Sequence, residues 1–295
     1  MYPYDILPGG IDLYLVFLCV AVVAALIVFR IMADKLKMAA KLQNFCLYTG
    51  VGAIVFGYFS AVMFQAFYNI KRDGQFVINA NTGATFYGGL IGGAVFFLLI
   101  YFAVGQRIFK NKEHIAGFFG VADAASCAIA IAHAFGRIGC LMAGCCYGKP
   151  TTSWVGIYMH NLGHKVIPLQ LFEALFLAFL FVYLFLRIKD KQTYCLQIYL
   201  CAYGVWRFVI EFVRNDYRGA TLIETVTPSQ LTAIVMLIVG VMLLVVQRNL
   251  QFVATAADDV EDMSEDYEYD EGTDDDYEYD QEEAADAEDS EEEQE

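Results

Sequence analysis

Seven long apolar runs constrain this chain more than any other feature of its sequence. A run of about 20 predominantly apolar residues is long enough to cross a bilayer as a helix. The chain has seven such runs, near residues 11–30, 43–66, 84–104, 117–140, 168–187, 193–212 and 228–247. With 58% hydrophobic and 18% charged residues, the chain is also too apolar for a water-soluble globule. The sequence therefore predicts an all-α integral membrane protein with about seven transmembrane helices.

Charge divides the chain into two parts. Residues 251–295 carry 23 Asp and Glu side chains and no Lys or Arg, whereas residues 1–250 carry 19 basic and 11 acidic side chains. A segment as acidic as residues 251–295 cannot bury a core. We therefore expect a seven-helix transmembrane domain over residues 1–250, followed by a disordered acidic tail over residues 251–295.

The basic residues in the connections predict how the chain is oriented. Cytoplasmic loops of membrane proteins carry an excess of Lys and Arg. Eleven basic residues fall on one side of the seven runs: Arg30, Lys35, Lys37, Lys41, Arg107, Lys110, Lys112, Arg187, Lys189, Lys191 and Arg248. Six fall on the other: Lys71, Arg72, Lys149, Lys165, Arg214 and Arg218. The larger group belongs in the cytoplasm, so we expect the N-terminus outside and the acidic tail in the cytoplasm.

Arg137 lies near the end of the fourth apolar run, where an arginine is costly unless it faces protein, water or an anionic ligand. Glycines 136, 139, 144 and 148 surround it, and glycine lets backbone N–H groups approach an anion closely. Two interpretations stay open from the residues alone. The segment either binds an anionic headgroup or is a glycine-rich helix end whose arginine anchors the run at the interface.

Further polar residues lie inside the other runs. Arg207, Glu211 and Arg214 are spaced to share one helix face, either as a structural clamp or as an arginine fork aimed at a phosphate. Glu173 lies one turn into the fifth run and needs a partner there. The third run begins with four glycines within six residues, at 88, 89, 92 and 93, which favour close helix packing or, with Tyr87, a headgroup pocket.

The eight cysteines form no C-x-x-C pair and no paired Cys/His spacing, so we expect neither a metal nor a cofactor. Cys140, Cys145 and Cys146 form the one group outside a purely apolar context. Close packing of small residues is the favoured interpretation of this group, with thiol chemistry or a metal as the alternative.

Four motifs, in order along these runs, resemble the prolipoprotein diacylglyceryl transferase family. Residues 136–145 (GRIGCLMAGC) and Gly148 occupy the family signature GRxGNFxNxE and its closing glycine, and residues 87–92 (YGGLIG) resemble its HGGxxG. Residues 168–173 (PLQLFE) resemble HPxQxYE, and residues 203–211 (YGVWRFVIE) resemble YGxxRFxxE. The resemblance covers about residues 10–248 and excludes the tail.

The resemblance implies an enzyme of the bacterial cytoplasmic membrane. The family moves the diacylglyceryl group of phosphatidylglycerol onto the lipobox cysteine thiol of a preprolipoprotein and releases glycerol phosphate. It implies as partners phosphatidylglycerol, preprolipoprotein signal peptides and the bilayer, and no nucleic acid. By this resemblance the catalytic residues are Arg137, Arg207, Glu211 and Tyr87, and the substrate-binding residues are Gly88, Gly89, Gly136, Gly139, Gly148, Gln170, Glu173 and Arg214.

Several positions depart from the family pattern. Tyr87 stands where the family has histidine, and Cys140, Ala143 and Cys145 replace its two asparagines and its glutamate. A tyrosine, with an unperturbed pKa near 10, is a poor general base at neutral pH. A non-catalytic or transport-like paralogue that binds anionic lipid is the alternative function. An enzyme that uses Cys145 or Cys146 as a nucleophile is a third.

Overall fold

The computed structural model describes residues 12–74, 76, 78, 82–215 and 227–270. Its helices are α1 (Leu13–Lys35), α2 (Ala40–Asp73), α3 (Phe86–Leu99), α4 (Gly105–Ile108), α5 (Glu113–Ala116), α6 (Phe118–Met142), α7 (Leu169–Lys189), α8 (Cys195–Ile210) and α9 (Pro228–Asp270). A π-helical turn, Ile100–Val104, joins α3 to α4, and the 3₁₀ turn Glu211–Val213 extends α8.

Within the described part of the chain, seven helical segments are long and apolar enough to cross a membrane. They are Leu13–Lys35, Ala40–Ile70, Tyr87–Ile108, Phe118–Met142, Leu169–Lys189, Cys195–Val213 and Pro228–Gln251. Each overlaps one of the seven predicted runs, so the predicted all-α membrane architecture is confirmed. Large apolar side chains such as Val23, Val55 and Ile238 remain exposed along these helices. Exposed apolar surface of this extent suits contact with lipid.

Helix α6 is the most deeply enclosed of the seven, with half of its apolar window buried. It contacts α1, α7 and α8. Its buried face is made largely of small residues, among them Ala124, Ala130 and Ala134. Small side chains let helices approach closely in a membrane. The helix that carries Arg137 therefore packs against protein along about half of its apolar window.

Asp123 of α6 caps the N-terminus of α8. Its Oδ1 accepts hydrogen bonds from the backbone N–H groups of Cys195 (2.8 Å) and Leu196 (3.2 Å), at the N-terminus of α8. A carboxylate there satisfies donors that have no partner inside the helix and favours the positive end of the helix dipole. This buried charge within the fourth run thus has a structural role.

One short hairpin lies between α6 and α7. Strands β1 (Ile157–Met159) and β2 (His164–Val166) pair antiparallel, with Tyr158 opposite Lys165. The reversal contains Gly163 with φ of +73°, a conformation that glycine adopts at little cost.

The chain divides into two compact units, residues 1–244 and 245–295. The second unit contains the end of α9, which continues as a helix to Asp270 and so includes the first residues of the predicted acidic tail. Residues 271–295 lie outside the described part of the chain. The helical course of residues 251–270 differs from the disorder predicted for the tail, which stays a prediction for residues 271–295.

Candidate functional site

The segment after α6 is held against the ends of two other helices. The N–H of Gly148 donates to the carbonyl of Ile167 (2.9 Å), just before α7, and the N–H of Lys149 donates to the carbonyl of Val213 (3.1 Å), just after α8. Gly148 also forms a β-bridge with Arg214. These backbone contacts bring the C-terminal ends of α6 and α8 to the N-terminal end of α7.

Arg137 and Glu173 form a buried ion pair beside this junction. Nη2 of Arg137 lies 2.9 Å from Oε1 of Glu173. The Tyr203 hydroxyl donates to the same Glu173 oxygen (2.7 Å) and accepts a longer hydrogen bond from Nη2 of Arg137 (3.4 Å). Glu173 is 1% exposed and Arg137 is 9% exposed. The partner that the sequence required for Glu173 is therefore Arg137, contributed by a different helix.

His133 and Tyr199 extend this cluster. The Tyr203 hydroxyl lies 3.4 Å from Nε2 of His133, and Nδ1 of His133 lies 3.2 Å from the Tyr199 hydroxyl. The rings of Tyr199 and Tyr203 stack at 5.9 Å. A network in which each polar group contacts the next fixes the orientation of all of them. Glu173 and Arg137 are thus positioned by α8 as well as by each other.

Arg207 has its own set of partners. Its Nη2 lies 3.3 Å from Oε2 of Glu211 and donates to the Ser229 hydroxyl (2.7 Å) at the start of α9. The other Glu211 oxygen accepts from the Thr227 hydroxyl (3.1 Å). Arg207 lies one helical turn after Tyr203 on α8 and also interacts electrostatically with Glu173. The two arginines therefore share one charged region while each keeps a different carboxylate.

Both arginines retain donors that the described residues do not use. Nε of Arg137 and Nη1 of Arg207 are buried without a hydrogen-bond partner among the described residues. A buried donor left unpaired costs about 1–3 kcal/mol. A Cβ at Gly136, next to Arg137, would meet no atom within 4 Å. Nε of Arg137 and Nη1 of Arg207 are the donors that an anionic ligand would satisfy.

Gln170 connects the loop that contains Cys145 to α7, the helix that carries Glu173. Its Nε2 donates to the carbonyl of Cys145, and it lies on α7 one turn before Glu173. Its Oε1 is buried without a hydrogen-bond partner among the described residues. Gln170 therefore attaches the loop to α7, the helix that also carries Glu173.

Arg214 is buried at 8% exposure and bridges to Gly148 through its backbone. It lies two residues before residues 216–226, which are outside the described part of the chain and include Arg218. The substrate contact predicted for Arg214 stays a prediction.

Tyr87, Gly88 and Gly89 lie on α3, where the glycines pack against α2. A Cβ at Gly88 would lie 2.7 Å from Cβ of Phe64, and one at Gly89 would lie 3.4 Å from the Gly57 carbonyl oxygen. Of the two open interpretations, the structure provides direct grounds for close packing. Substrate contact by Tyr87, Gly88 and Gly89 remains a prediction.

Gly139 and Gly148 are also sites of close approach. A Cβ at Gly139 would lie 3.3 Å from Tyr14 and Phe17 of α1, and one at Gly148 would lie 2.9 Å from the Leu169 side chain. The structure thus gives both glycines a packing role. Their predicted contact with substrate stays a prediction.

The cysteine-nucleophile hypothesis finds little support in the loop geometry. Hydrogen bonding with the Cys140 thiol, and then with the Cys146 thiol, raises the pKa of Cys145, and partial desolvation of its sulfur raises it further. Only the thiolate is a strong nucleophile. A Cys145 thiol without a bound cation is therefore protonated at neutral pH.

Five site residues were not predicted from the sequence: His133, Tyr199, Tyr203, Thr227 and Ser229. One signal was present in the chain: Tyr199, Tyr203 and Arg207 recur every four residues, and His133 precedes Arg137 by the same interval. Side chains at that spacing share a helix face. Without the packing of α6 on α8, nothing indicated that the two faces meet.

Comparison with known proteins identifies the family of this chain. The family model described as prolipoprotein diacylglyceryl transferase matches residues 4–246. A phosphatidylglycerol–prolipoprotein diacylglyceryl transferase 2 of Clostridium perfringens is 31% identical over 212 residues, which is 69% of this chain and 77% of the relative. The corresponding transferase of Clostridium tetani is 29% identical over 188 residues, 61% of this chain and 70% of the relative. That of Ehrlichia canis is 33% identical over 190 residues, 59% of this chain and 68% of the relative.

The matched region includes all seven membrane-spanning segments except the end of the last, and it includes every residue of the buried ion-pair network. The order of the four motifs, the helices that carry them and the family match lead to the same conclusion. This chain belongs to the prolipoprotein diacylglyceryl transferase family.

Proposed function

We propose that this protein transfers the diacylglyceryl group of phosphatidylglycerol to the lipobox cysteine thiol of a preprolipoprotein and releases glycerol phosphate. The names of the relatives, as phosphatidylglycerol–prolipoprotein diacylglyceryl transferases, support this reaction. The bilayer supplies the donor lipid, and the signal peptide of the acceptor presents the thiol.

The observation that carries the proposal is the pair of buried arginines with unused donors. When the acceptor sulfur attacks the glycerol carbon, a C–S bond forms and the C–O bond to phosphate breaks. Negative charge then grows on the leaving phosphate. Guanidinium groups fixed in a low-dielectric site stabilise such charge without reorganising. Nε of Arg137 and Nη1 of Arg207 are the available donors.

The two carboxylates position the arginines, and the arginines bind the phosphate. Glu173 holds Arg137 through one oxygen, and Glu211 lies beside Arg207. An arginine that keeps one donor on a carboxylate has further donors in the same plane for a second anion. Tyr203 orients Glu173, so it is a positioning residue.

The orientation in the membrane follows from the basic residues of the loops. Eleven basic residues on one side and six on the other support a chain with its N-terminus outside and its acidic tail in the cytoplasm. The C-terminal end of α6 and the arginine site then lie toward the outer leaflet of the bacterial cytoplasmic membrane, where a translocated signal peptide presents its cysteine.

A reconstituted assay tests the reaction. The full chain, purified and placed in vesicles of phosphatidylglycerol, is mixed with a peptide that carries one lipobox cysteine. We expect the peptide mass to rise by one diacylglyceryl group, with release of an equal amount of glycerol phosphate. Vesicles of phosphatidylethanolamine and a Cys→Ser peptide are the matched controls.

The same assay separates the enzyme from a lipid-binding paralogue. The replacement of the family histidine by Tyr87 is the observation that favours the second possibility. Saturable binding of phosphatidylglycerol without peptide modification would overturn the transferase proposal and support the paralogue.

A further inference from the structure

Three cysteine thiols converge at the end of α6. The Sγ atoms of Cys140, Cys145 and Cys146 all lie within 4.8 Å of one another. All eight cysteines lie in the described part of the chain, and no disulfide joins any of them. The linear spacing, Cys-x₄-Cys-Cys, matches none of the usual metal-binding patterns. The sequence groups these three cysteines, but only the fold shows that their sulfur atoms lie close enough to share one ligand.

The backbone after α6 is shaped in a way that brings these thiols together. The N–H of Cys145 donates to the Cys140 carbonyl (3.1 Å), and the Cys145 Sγ lies 3.6 Å from the same oxygen. Gly144 has φ of +64° and Cys146 has φ of +65°. A non-glycine residue in this left-handed region is uncommon and costs energy. The hydrogen bond from Gln170 to the Cys145 carbonyl helps to hold the loop in this conformation.

The size of the cluster suits a thiophilic cation. With Zn–S bonds of about 2.3 Å, tetrahedral geometry places the sulfur atoms about 3.8 Å apart. Sulfur separations of at most 4.8 Å reach that value when each sulfur moves by about 0.6 Å or less. Cys145 is exposed and the other two are half-buried, so an ion can enter from outside.

We propose that Cys140, Cys145 and Cys146 bind one thiophilic divalent cation of the zinc class, and that its fourth coordination position receives the acceptor cysteine thiol. The second half of this inference rests on the proposed transferase function. Three protein thiolates with one open position are typical of a site that binds and activates a further ligand, since purely structural sites are closed by a fourth protein ligand.

The chemistry balances without a redox step. The acceptor thiol loses its proton to water on coordination and becomes a thiolate. The sulfur then attacks the glycerol carbon, the C–O bond breaks, and its electron pair leaves on the phosphate of glycerol phosphate. The cation keeps its oxidation state throughout.

The surroundings of the cluster agree with this role. Cys140 follows Arg137 by three residues on α6, so the two side chains share a face. Three thiolates and a divalent cation carry one net negative charge, which the arginine stabilises. Gln170 links the loop to α7, the helix that carries Glu173. Deprotonation of the acceptor thiol by a bound cation would also replace a general base. Tyr87, in place of the family histidine, is poorly suited to that role.

Metal binding is tested on the full chain, purified under reducing conditions and treated with a chelator. Zn²⁺ alone is added, and bound metal is counted after removal of the excess. Co²⁺ is then used as a spectroscopic probe for thiolate ligation. We expect one metal per chain and a sulfur-to-cobalt charge-transfer band. Cys140→Ser, Cys145→Ser and Cys146→Ser should each weaken binding by about tenfold or more, since loss of even an outer-shell partner costs about 10–100-fold.

Cys19→Ser and Cys201→Ser are the matched controls, because both cysteines lie on helices outside the cluster. They should bind metal as the unmodified chain does. Wild-type protein that retains no Zn²⁺, or a cobalt spectrum that survives in all three cluster variants, would overturn the site.

The fourth ligand is tested without turnover. A lipobox peptide is added to the cobalt-loaded chain in detergent that contains no phosphatidylglycerol, and the same peptide with serine in place of cysteine is the control. Only the cysteine peptide should change the charge-transfer band. An unchanged spectrum would refute the acceptor role of the metal. Since no lipid is transferred here, this result is independent of whether the transferase proposal stands or fails.

Discussion

At the scale of single residues, the site depends on where buried charges find partners. Arg137 and Glu173 lie on different helices, and each removes the cost of burying the other. Breaking a buried pair by removing one partner typically costs about 3–5 kcal/mol, since the remaining charge is left uncompensated. A test of catalytic function must therefore keep the charge and alter only its geometry.

Arg137→Lys meets that requirement. The ammonium can still pair with Glu173, but it has no planar fork with which to hold the Tyr203 hydroxyl, the carboxylate and a phosphate together. We expect transfer activity to fall by about 100-fold or more, as for loss of one oxyanion-type donor, with membrane abundance close to normal. Transfer activity and abundance are measured in the same membranes.

Arg30→Lys is the control for this variant, since Arg30 forms an exposed ion pair with Asp34 on α1. Full activity of Arg137→Lys at normal abundance would eliminate the phosphate-binding assignment. Loss of the protein from the membrane would instead point to a purely structural pair.

Tyr203→Phe tests the positioning of Glu173. The change removes the hydroxyl that contacts Glu173, Arg137 and His133, and it keeps the ring that stacks on Tyr199. We expect kcat to fall by roughly tenfold, for the loss of about 1–1.5 kcal/mol from one buried hydrogen bond, with little change in KM for lipid. Tyr199→Phe, whose hydroxyl contacts His133 further from the ion pair, should be milder. Equal effects of the two changes would argue against a specific role for Tyr203.

At the scale of elements, the glycines of α2 and α3 decide how closely two membrane helices pack. A Cβ at Gly57 would lie 2.9 Å from the backbone carbonyl oxygen of Gly89, whereas one at Gly50, two turns earlier on the same helix, would meet nothing within 4 Å. A contact of 2.9 Å with backbone cannot be relieved by rotating a side chain. Gly57 is therefore packed tightly against α3, whereas Gly50 on the same helix is not.

Gly57→Ala should lower the free energy of unfolding in detergent by about 1–3 kcal/mol, as expected for overpacking of a close helix contact. Gly50→Ala should be neutral or slightly stabilising, because alanine has the higher helix propensity. Unfolding of both variants is followed by a thermal shift. Similar stability of the two would show that α2 and α3 do not depend on this close approach.

At the scale of the whole molecule, the orientation of the seven spans decides which leaflet the site faces. Reporter fusions at Arg72 and Lys165 should report an external location. Fusions at Lys37, Lys110 and Lys189 should report the cytoplasm, following the distribution of basic residues. An external signal at Lys110 would contradict this topology, and with it the placement of the arginine site toward the outer leaflet.

The acidic tail provides a second test at this scale. Truncation after Gln251, the end of the seventh membrane-spanning segment, removes 23 acidic side chains on the predicted cytoplasmic side. Transfer activity should stay within a factor of a few, equivalent to less than about 1 kcal/mol of barrier. A large loss of activity at normal abundance would give the tail a role in the reaction.

Much of the architecture was readable from the chain because it depends on local properties. Span length follows from the thickness of the bilayer, and apolarity is a property of each segment by itself. The hairpin Ile157–Val166 and the continuation of α9 to Asp270 were not predicted. A strand of three residues leaves too short a pattern for sequence analysis to detect.

The sequence by itself determined the seven spans, the charged residues that need partners inside them and the order of the family motifs, because hydropathy and spacing are recorded along one chain. Only the tertiary structure decided that Glu173 pairs with Arg137, that Tyr203 and His133 join them and that three thiols converge after α6. Partners on different helices are chosen by how the helices pack, and the energy of a buried charge or thiol depends on those non-local neighbours.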